Sequence, residues 1–233
     1  MRFNQTLSRG TLIRRYNRFL AEVELPTGEI LTIHCPNSGA MLTCSAPGSP
    51  ACFSRSDNQR RRYPHTLEMV HNGVTWIGVN TMRTNALVAE ALENGVIDEL
   101  GHFDSMMREI KTSPGTRLDL MLSSEKIRTY IEVKNCTLVR DGRALFPDAV
   151  TSRGTKHLAE LMKLRKEGNE AAVIFLIQRD DAQSFAPAAD IDPTYADSLA
   201  AARAAGVRSI AYTARVTPEE ITVQEMVPVI MAS

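Results

Sequence analysis

The sequence predicts a two-domain α+β chain: a small all-β barrel followed by a mixed domain ordered α-β-β-β-α-β. Three observations support this. Residues 11–80 string short strand patterns between Gly/Pro turns and show no strong helical period. From residue 81 onward, helical periods alternate with strand patterns. Charge divides at the same place: residues 1–80 carry nine Arg, no Lys and five acids, and residues 81–233 carry eighteen bases and twenty-two acids, within a net charge of +0. Such a split points to a basic binding part joined to an acidic, site-bearing part.

In the first part, TLIRRYNRFLAEVEL (11–25) reads as one long strand, PTGE as a turn and ILTIHC as a second strand. PNSG and SAPGSP punctuate the chain, and ACFSRS and TWIGVN supply further short strands. Residues 1–80 are therefore expected to form a five-stranded OB-like barrel. The second part, 81–233, opens with the helix TNALVAEALENG. Leu87, Val88, Ala91 and Leu92 recur there at helical spacing, Thr84 or Asn85 can cap the start, and Gly95 ends it. MREIKT, RLDLML and TYIEVKNCTL (129–138) follow as strands, joined through SPG and SSEK as antiparallel hairpins. SRGTKHLAELMKLRKEG is a helix with Leu158, Leu161 and Met162 on one face. AAVIFLIQ is a buried strand, parallel to a neighbour because a helical crossover precedes it. A helix over 193–205 has Asp192 as cap and Pro193 at its first position, and the strands SIAYTARV and ITVQEMVPV finish the chain.

Composition narrows the class. With 43% hydrophobic residues the chain can bury a core. MRFNQTLSRG leads into no apolar leader, and the longest apolar run, AAVIFLI, is too short to span a bilayer. Four irregularly spaced cysteines suit reduced thiols, so a soluble cytoplasmic protein is expected. His34, Cys35, Cys44, Cys52, His65 and His71 lack zinc-finger spacings. The oligomeric state is left open, with a homodimer allowed.

The chemistry concentrates in YIEVKNCTL. Side chains alternate across a strand, so Glu132 and Lys134 share one face while Ile131 and Val133 enter the core on the other. In RLDLML, Leu118, Leu120 and Leu122 are expected to point one way and Asp119 the other. Pairing the two strands apolar face to apolar face sets Asp119 beside Glu132. Two close carboxylates repel, and a divalent cation relieves them. Mg²⁺ or Mn²⁺ needs only one or two protein carboxylates, and Lys134 would adjoin a metal-bound water poised to attack a phosphodiester. A Glu-x-Lys pair also occurs on ordinary solvated strands. Here the spacing D-x(n)-E-x-K within an αβββαβ frame is the pattern of the PD-(D/E)xK nuclease superfamily. Asp119, Glu132 and Lys134 are the candidate catalytic residues. Asp119 and Glu132 are candidate metal ligands, with Glu90, on the preceding helix, as a third.

Basic residues fall into three groups. Arg14, Tyr16 and Arg18 are expected along one strand face. DNQRRRYPHT sets Arg60, Arg61 and Arg62 before Tyr63. Arg153, Lys156 and His157 share a helix face with Glu160. Guanidinium groups pair with phosphate and aromatic faces stack on bases, so these are candidate nucleic-acid contacts.

The stretches TLIRRYNRFLAEV, HCPNSGAM, DNQRRRYPHT, VNTMRTNAL, RLDLML, YIEVKNCTL and FPDAVTSRGTKHLAELM together resemble the sugar fermentation stimulation protein A family of bacteria and archaea. The resemblance implies an OB-like domain followed by a PD-(D/E)xK-type domain, and DNA binding without clear sequence preference. It also implies a role as a regulator of maltose and other sugar metabolism. By position, Asp119, Glu132 and Lys134 match the family's nuclease-like triad. Asn135-Cys136, Ser38, Thr84 and Ser152 depart from the family's usual residues, and Ser152 removes an acid near the triad. Three readings stand: a nonspecific DNA-binding protein, an active metal-dependent nuclease on DNA or RNA, and a vestigial nuclease fold serving protein contacts.

Overall fold

The computed structural model describes residues 1–125 and 127–231. The first six strands are β1 (Ser8–Tyr16), β2 (Leu20–Glu24), β3 (Ile30–His34), β4 (Pro50–Arg55), β5 (His65–His71) and β6 (Trp76–Gly78). They lie in the order β3-β2-β1-β4-β5-β6, and a parallel contact of His34 with Thr66 joins β3 to β5. Five strands thus close a barrel of OB type, and β6 lies on the outer edge of β5. Leu12, Val23, Ile33, Phe53 and Leu67 fill it from alternating positions.

Two sequence expectations fail here for local reasons. The single strand expected over 11–25 is two, because Asn17 and Arg18 adopt φ of 50° and 61° and reverse the chain between Tyr16 and Leu20. Asn tolerates that left-handed conformation, and no Gly or Pro marks the turn. Arg18 therefore sits in a turn and not on the strand face with Arg14. Strand β5 escaped notice because Glu68 breaks its apolar run. Glu68 is 1% exposed and accepts hydrogen bonds from Arg83 (2.6 and 2.9 Å), Asn80 (2.8 Å) and Ser54 (2.6 Å).

Asn80 caps a 3-10 turn (Thr81–Arg83) that runs into α1 (Thr84–Glu93), so neither Thr84 nor Asn85 is the cap. Next come β7 (Ser105–Ser113), β8 (Thr116–Ser124), β9 (Ile127–Cys136), β10 (Leu138–Arg140) and β11 (Arg143–Phe146). The chain continues through α2 (Ser152–Lys166), β12 (Glu170–Ile177), β13 (Ser184–Pro187), α3 (Pro193–Ala204), β14 (Arg208–Val216) and β15 (Ile221–Met226). The main sheet runs β15-β14-β12-β9-β8-β7, with β12 parallel to both β9 and β14 as the crossover predicts. The strand expected to reach Leu138 stops at Cys136. Leu138 instead opens β10, which pairs with β11; β11 in turn pairs with β13, forming a small second sheet that the sequence did not reveal. Of the SSEK link, Lys126 lies outside the described residues.

Helix α1 covers one face of the main sheet, burying Leu87, Val88, Ala91 and Leu92 against Leu120, Ile131, Val133 and Ile174. Helices α2 and α3 cover the other, burying Leu158, Leu161 and Leu199 against Tyr130, Val173 and Phe175. Each fully buried leucine contributes about 2 kcal/mol. Thr151 caps α2 through the amide of Gly154 (3.1 Å), and Asp192 caps α3 through that of Tyr195 (2.9 Å). Asp192 also accepts from the amide of Thr151 (2.8 Å), which ties the two helix starts together. A Cβ at Gly154 would stand 2.9 Å from the Tyr195 ring, so only glycine lets α2 approach this closely.

Residues 1–3, assigned by sequence to the barrel, instead run beside β15. The Met1 ammonium donates to the Ile221 carbonyl (2.7 Å), and the Phe3 amide donates to that of Glu219 (3.0 Å). The barrel docks through β6, whose Gly78 amide donates to the Gln178 carbonyl (2.9 Å). Among the described residues, no helix is long and apolar enough to cross a membrane.

Replacing Arg83 by alanine leaves the buried Glu68 charge with only neutral donors. Unfolding free energy should fall by about 3 kcal/mol, read as a lower urea midpoint.

Candidate active site and nucleic-acid surface

Strands β8 and β9 part company at Asp119. Their ladder runs from Ser124↔Ile127 to Leu120↔Ile131 and stops there, whereas β8 stays with β7 to Thr116 and β9 stays with β12 to Cys136. The gap is filled by a side chain: Asp119 Oδ2 accepts from the Val133 amide (2.8 Å), where a backbone carbonyl would serve in an unbroken ladder. Face alternation breaks at the same residue. Leu120 and Leu122 enter the α1-side core, while Leu118, expected with them, enters the α2-side core. On β7, Glu109, which lies opposite Asp119, takes φ 56°. The other Asp119 oxygen accepts from Asn85 of α1 (2.8 Å).

Glu132 lies on the next strand, beneath α2, and is 3% exposed. Its Oε1 accepts from Lys134 Nζ at 2.5 Å and from Nδ1 of His157. Its Oε2 is buried without a partner among the described residues. Arg153 Nε donates to His157 Nε2 (3.4 Å), which leaves the His157 proton on Nδ1, facing the carboxylate. Burial opposes ionisation of Glu132. The His157 hydrogen bond and the Lys134 charge outweigh it and hold the carboxyl below its ordinary range. Asp119 goes the other way: burial first, then the Glu132 charge, push its carboxyl up to about 6 despite its two donors and Lys134.

The structure thus brings Asp119, Glu132 and Lys134 together, adds His157, and leaves Glu90 out. Glu90 pairs with the Met1 ammonium (3.0 Å), because it stands more than one helical turn beyond Asn85 and faces the N-terminus of the chain. Among the described residues, no group of three or more His, Cys, Asp or Glu side chains is arranged to hold a metal.

Beside the cluster lies a cavity of 580 Å³ lined by Lys111, Arg117, Ser152, Arg153, Lys156 and His157, together with the Gly115–Thr116 turn. Its charged lining is wholly basic. Arg153 and Lys156 are exposed as a phosphate contact requires, whereas His157 is spent mainly on Glu132. Sequence reasoning missed Lys111, Arg117 and Asn85. Arg117 could have been found, since it stands two residues from Asp119 on the same strand. A second cavity, of 410 Å³, lies between barrel and sheet and includes Arg18 and Asn135. On the barrel, Arg14 is already paired with Glu22 (2.7 Å) and lies over Tyr16 (5.0 Å). Arg61 is part-buried and donates to Thr66 (3.1 Å). Arg60 and Arg62 remain exposed in the β4–β5 loop, with Arg62 over the Tyr63 ring (5.3 Å).

Asp119 should imprint a pH dependence. With its pKa raised from 3.8 to about 6, the folded protein binds the proton more tightly than the unfolded chain. The stability this contributes is complete below the unfolded value and is lost as pH rises through the folded one. In chelator, wild-type stability should carry a falling component from pH 3.8 to about 6 that Asp119→Asn removes. Urea titrations across that window check it, and identical slopes for both proteins would refute it.

Comparison with known proteins agrees along the whole chain. Residues 13–79 match the family model described as the SfsA N-terminal OB domain, and residues 82–220 match that of the sugar fermentation stimulation protein RE domain. The sugar fermentation stimulation protein homolog of Desulfotalea psychrophila is 54% identical over 93% of this chain and 92% of its own. That of Pelobacter propionicus is 50% identical over 95% and 96%. The solved structure of Pyrococcus furiosus SfsA in complex with Ca²⁺ superposes with a TM-score of 0.89, covering 99% of this chain and 98% of that one at 23% identity. With its OB barrel, its α/β domain and relatives matched nearly end to end, the chain belongs to the sugar fermentation stimulation protein family.

Proposed function

We propose that this protein binds DNA without sequence preference and that Asp119, Glu132 and Lys134 form a divalent-cation-dependent phosphodiesterase site on the binding surface. One observation carries the reading. A buried and a half-buried carboxylate meet at the fork between β8 and β9, beside a cavity whose lining includes Lys111, Arg117, Arg153 and Lys156 and no carboxylate. Phosphates would enter the cavity and neutralise Lys111, Arg117, Arg153 and Lys156, giving sequence-tolerant, salt-sensitive association. RNA phosphates would satisfy the same groups.

The residues fit a cation. Asp119 is held up near 6 by burial and by the Glu132 charge, a repulsion that a cation would relieve, and Glu132 Oε2 has no donor among the described residues. Mg²⁺ or Mn²⁺ requires no more than these two carboxylates and its own waters. The Ca²⁺ complex of the Pyrococcus furiosus relative is in keeping with such a site. When bound, the cation would polarise a phosphoryl oxygen and acidify a water. Lys134, 2.5 Å from Glu132, holds a proton at Nζ where charge develops on phosphate or water. His157 keeps Glu132 ionised and oriented, and Asn85 orients Asp119. Regulation of sugar (maltose) metabolism would, on this reading, act through DNA.

DNA affinity should fall linearly with salt on logarithmic axes. Alanine at Arg60, Arg62, Arg153 and Lys156 should lower the slope by about one unit for each phosphate no longer neutralised, equally for all sequences. Salt-independent binding would count against the proposal. With Mg²⁺ or Mn²⁺, cleavage of DNA or RNA should drop by about a hundredfold or more in Asp119→Ala and in Lys134→Ala, with binding in Ca²⁺ retained. Cleavage that persists in both variants would place the chemistry elsewhere.

A further inference from the structure

The 410 Å³ cavity between barrel and sheet has a construction of its own. One wall is apolar, made by Phe146, Pro147 and Val150 from the segment that leads into α2. The lining also carries two carboxamides, Asn37 from the HCPNSGAM segment and Asn135 from the end of β9, with Arg18 at the barrel turn and the carboxylate of Asp148.

Both amides are oriented by the protein. Asn37 is 4% exposed, and its Oδ1 accepts from the Gly39 amide (2.9 Å). Asn135 Oδ1 accepts from Gln178 Nε2 (2.5 Å) and from Thr84 Oγ1 (3.2 Å). Neither Nδ2 has a hydrogen bond among the described residues, so two N–H donors of held side chains remain for an occupant. The Asn37 segment is itself clamped: Arg15 donates to the carbonyls of Asn37 (2.6 Å) and Gly39 (2.8 Å), and Asp148 accepts from the Met41 amide (2.8 Å). A Cβ on Gly39 would stand 2.5 Å from the Asp148 carboxylate, so the segment cannot sit this close to Asp148 with any other residue there.

An apolar wall, two fixed donors and one cation, Arg18, beside an Asp148 carboxylate engaged by the Met41 amide, match a flat, acceptor-bearing ring whose phosphate lies toward Arg18. The volume exceeds what a single base needs and falls within the usual range for small ligands. The site also lies at the carboxyl end of β9, starting one residue past Lys134, while the basic cavity flanks the same cluster at His157.

We infer that this interdomain cleft is a nucleobase subsite, and that the substrate class of the neighbouring site is nucleic acid with an unpaired nucleotide. The inference rests on the proposed function for its nucleic acid and goes beyond it in strandedness. Phosphates lie along Lys111, Arg117, Arg153 and Lys156, the strand crosses Glu132 and Lys134, and the next base turns into the cleft. A base held in a duplex cannot present its ring edge to Asn37 and Asn135 while its partner remains paired.

The test is equilibrium binding in Ca²⁺, without turnover, of three labelled probes of equal length: a single strand, the same strand with abasic spacers, and a blunt duplex. The single strand should bind about tenfold more tightly than the other two. Ser38→Trp, at an exposed position on the rim, and Asn135→Ala should bring the single strand down to the duplex value and leave duplex binding unchanged. Circular dichroism and urea midpoints confirm that both variants fold. Equal affinity for single strand and duplex, or equal losses on both probes in Ser38→Trp, overturns the subsite while leaving DNA binding intact. Absence of binding to every probe overturns both readings. Loss of cleavage alone, with the single-strand preference retained, leaves the subsite standing.

Discussion

A charged carboxylate in the middle of a central strand is the constraint on which the rest of the second domain depends. Glu132 pairs on one side with Val173 of β12 and lies under α2, where an isolated charge would be strongly disfavoured. Lys134 and His157 make it tolerable, and His157 can reach it only if α2 lies close to the sheet. The close seating of α2 follows from Gly154 against Tyr195 and from Asp192, which serves the starts of both α2 and α3. Helix packing on this face of the sheet thereby sets the electrostatics of the site.

The fork at Asp119 complements that burial. A continuous ladder would pair β8 with β9 to its end and leave the Val133 amide no need of a side chain. Because β8 follows β7 and β9 follows β12, the strands open where the two carboxylates meet. Asp119 supplies the missing acceptor, so it cannot swing freely, and burial together with the nearby Glu132 charge raises its proton affinity. A site held in this way is preorganised, with its carboxylates fixed before any ligand arrives.

The barrel is more than an appended module. Glu68 in β5 and Arg83 before α1 form a buried pair at the junction, and Gln178 bonds both the β6 backbone and the Asn135 carboxamide. The same residues that fix the barrel on the sheet therefore shape the cleft beside the site. Arg18, whose place on the turn between β1 and β2 depends on two left-handed residues, reaches that cleft from the barrel side.

Much of this was readable in one dimension. Strand period placed Glu132 and Lys134 on one face, crossover length made β12 parallel, and Asp192-Pro193 marked the start of α3. These are local properties, dictated by alternation, turn chemistry and capping within a few residues. Other features come from partners far apart in sequence and leave no nearby trace. Glu68 looked like an interruption until Arg83, Asn80 and Ser54 surrounded it. Glu90 looked like a ligand until the chain's own N-terminus reached it, and His157 looked like a phosphate contact until α2 seated it on Glu132. The sequence by itself determined the two domains' element types and the D…E-x-K set. Only the tertiary structure decided which carboxylates meet, which basic groups remain free and where a cleft opens, because burial, charge pairing and strand divergence are properties of distant segments brought into contact.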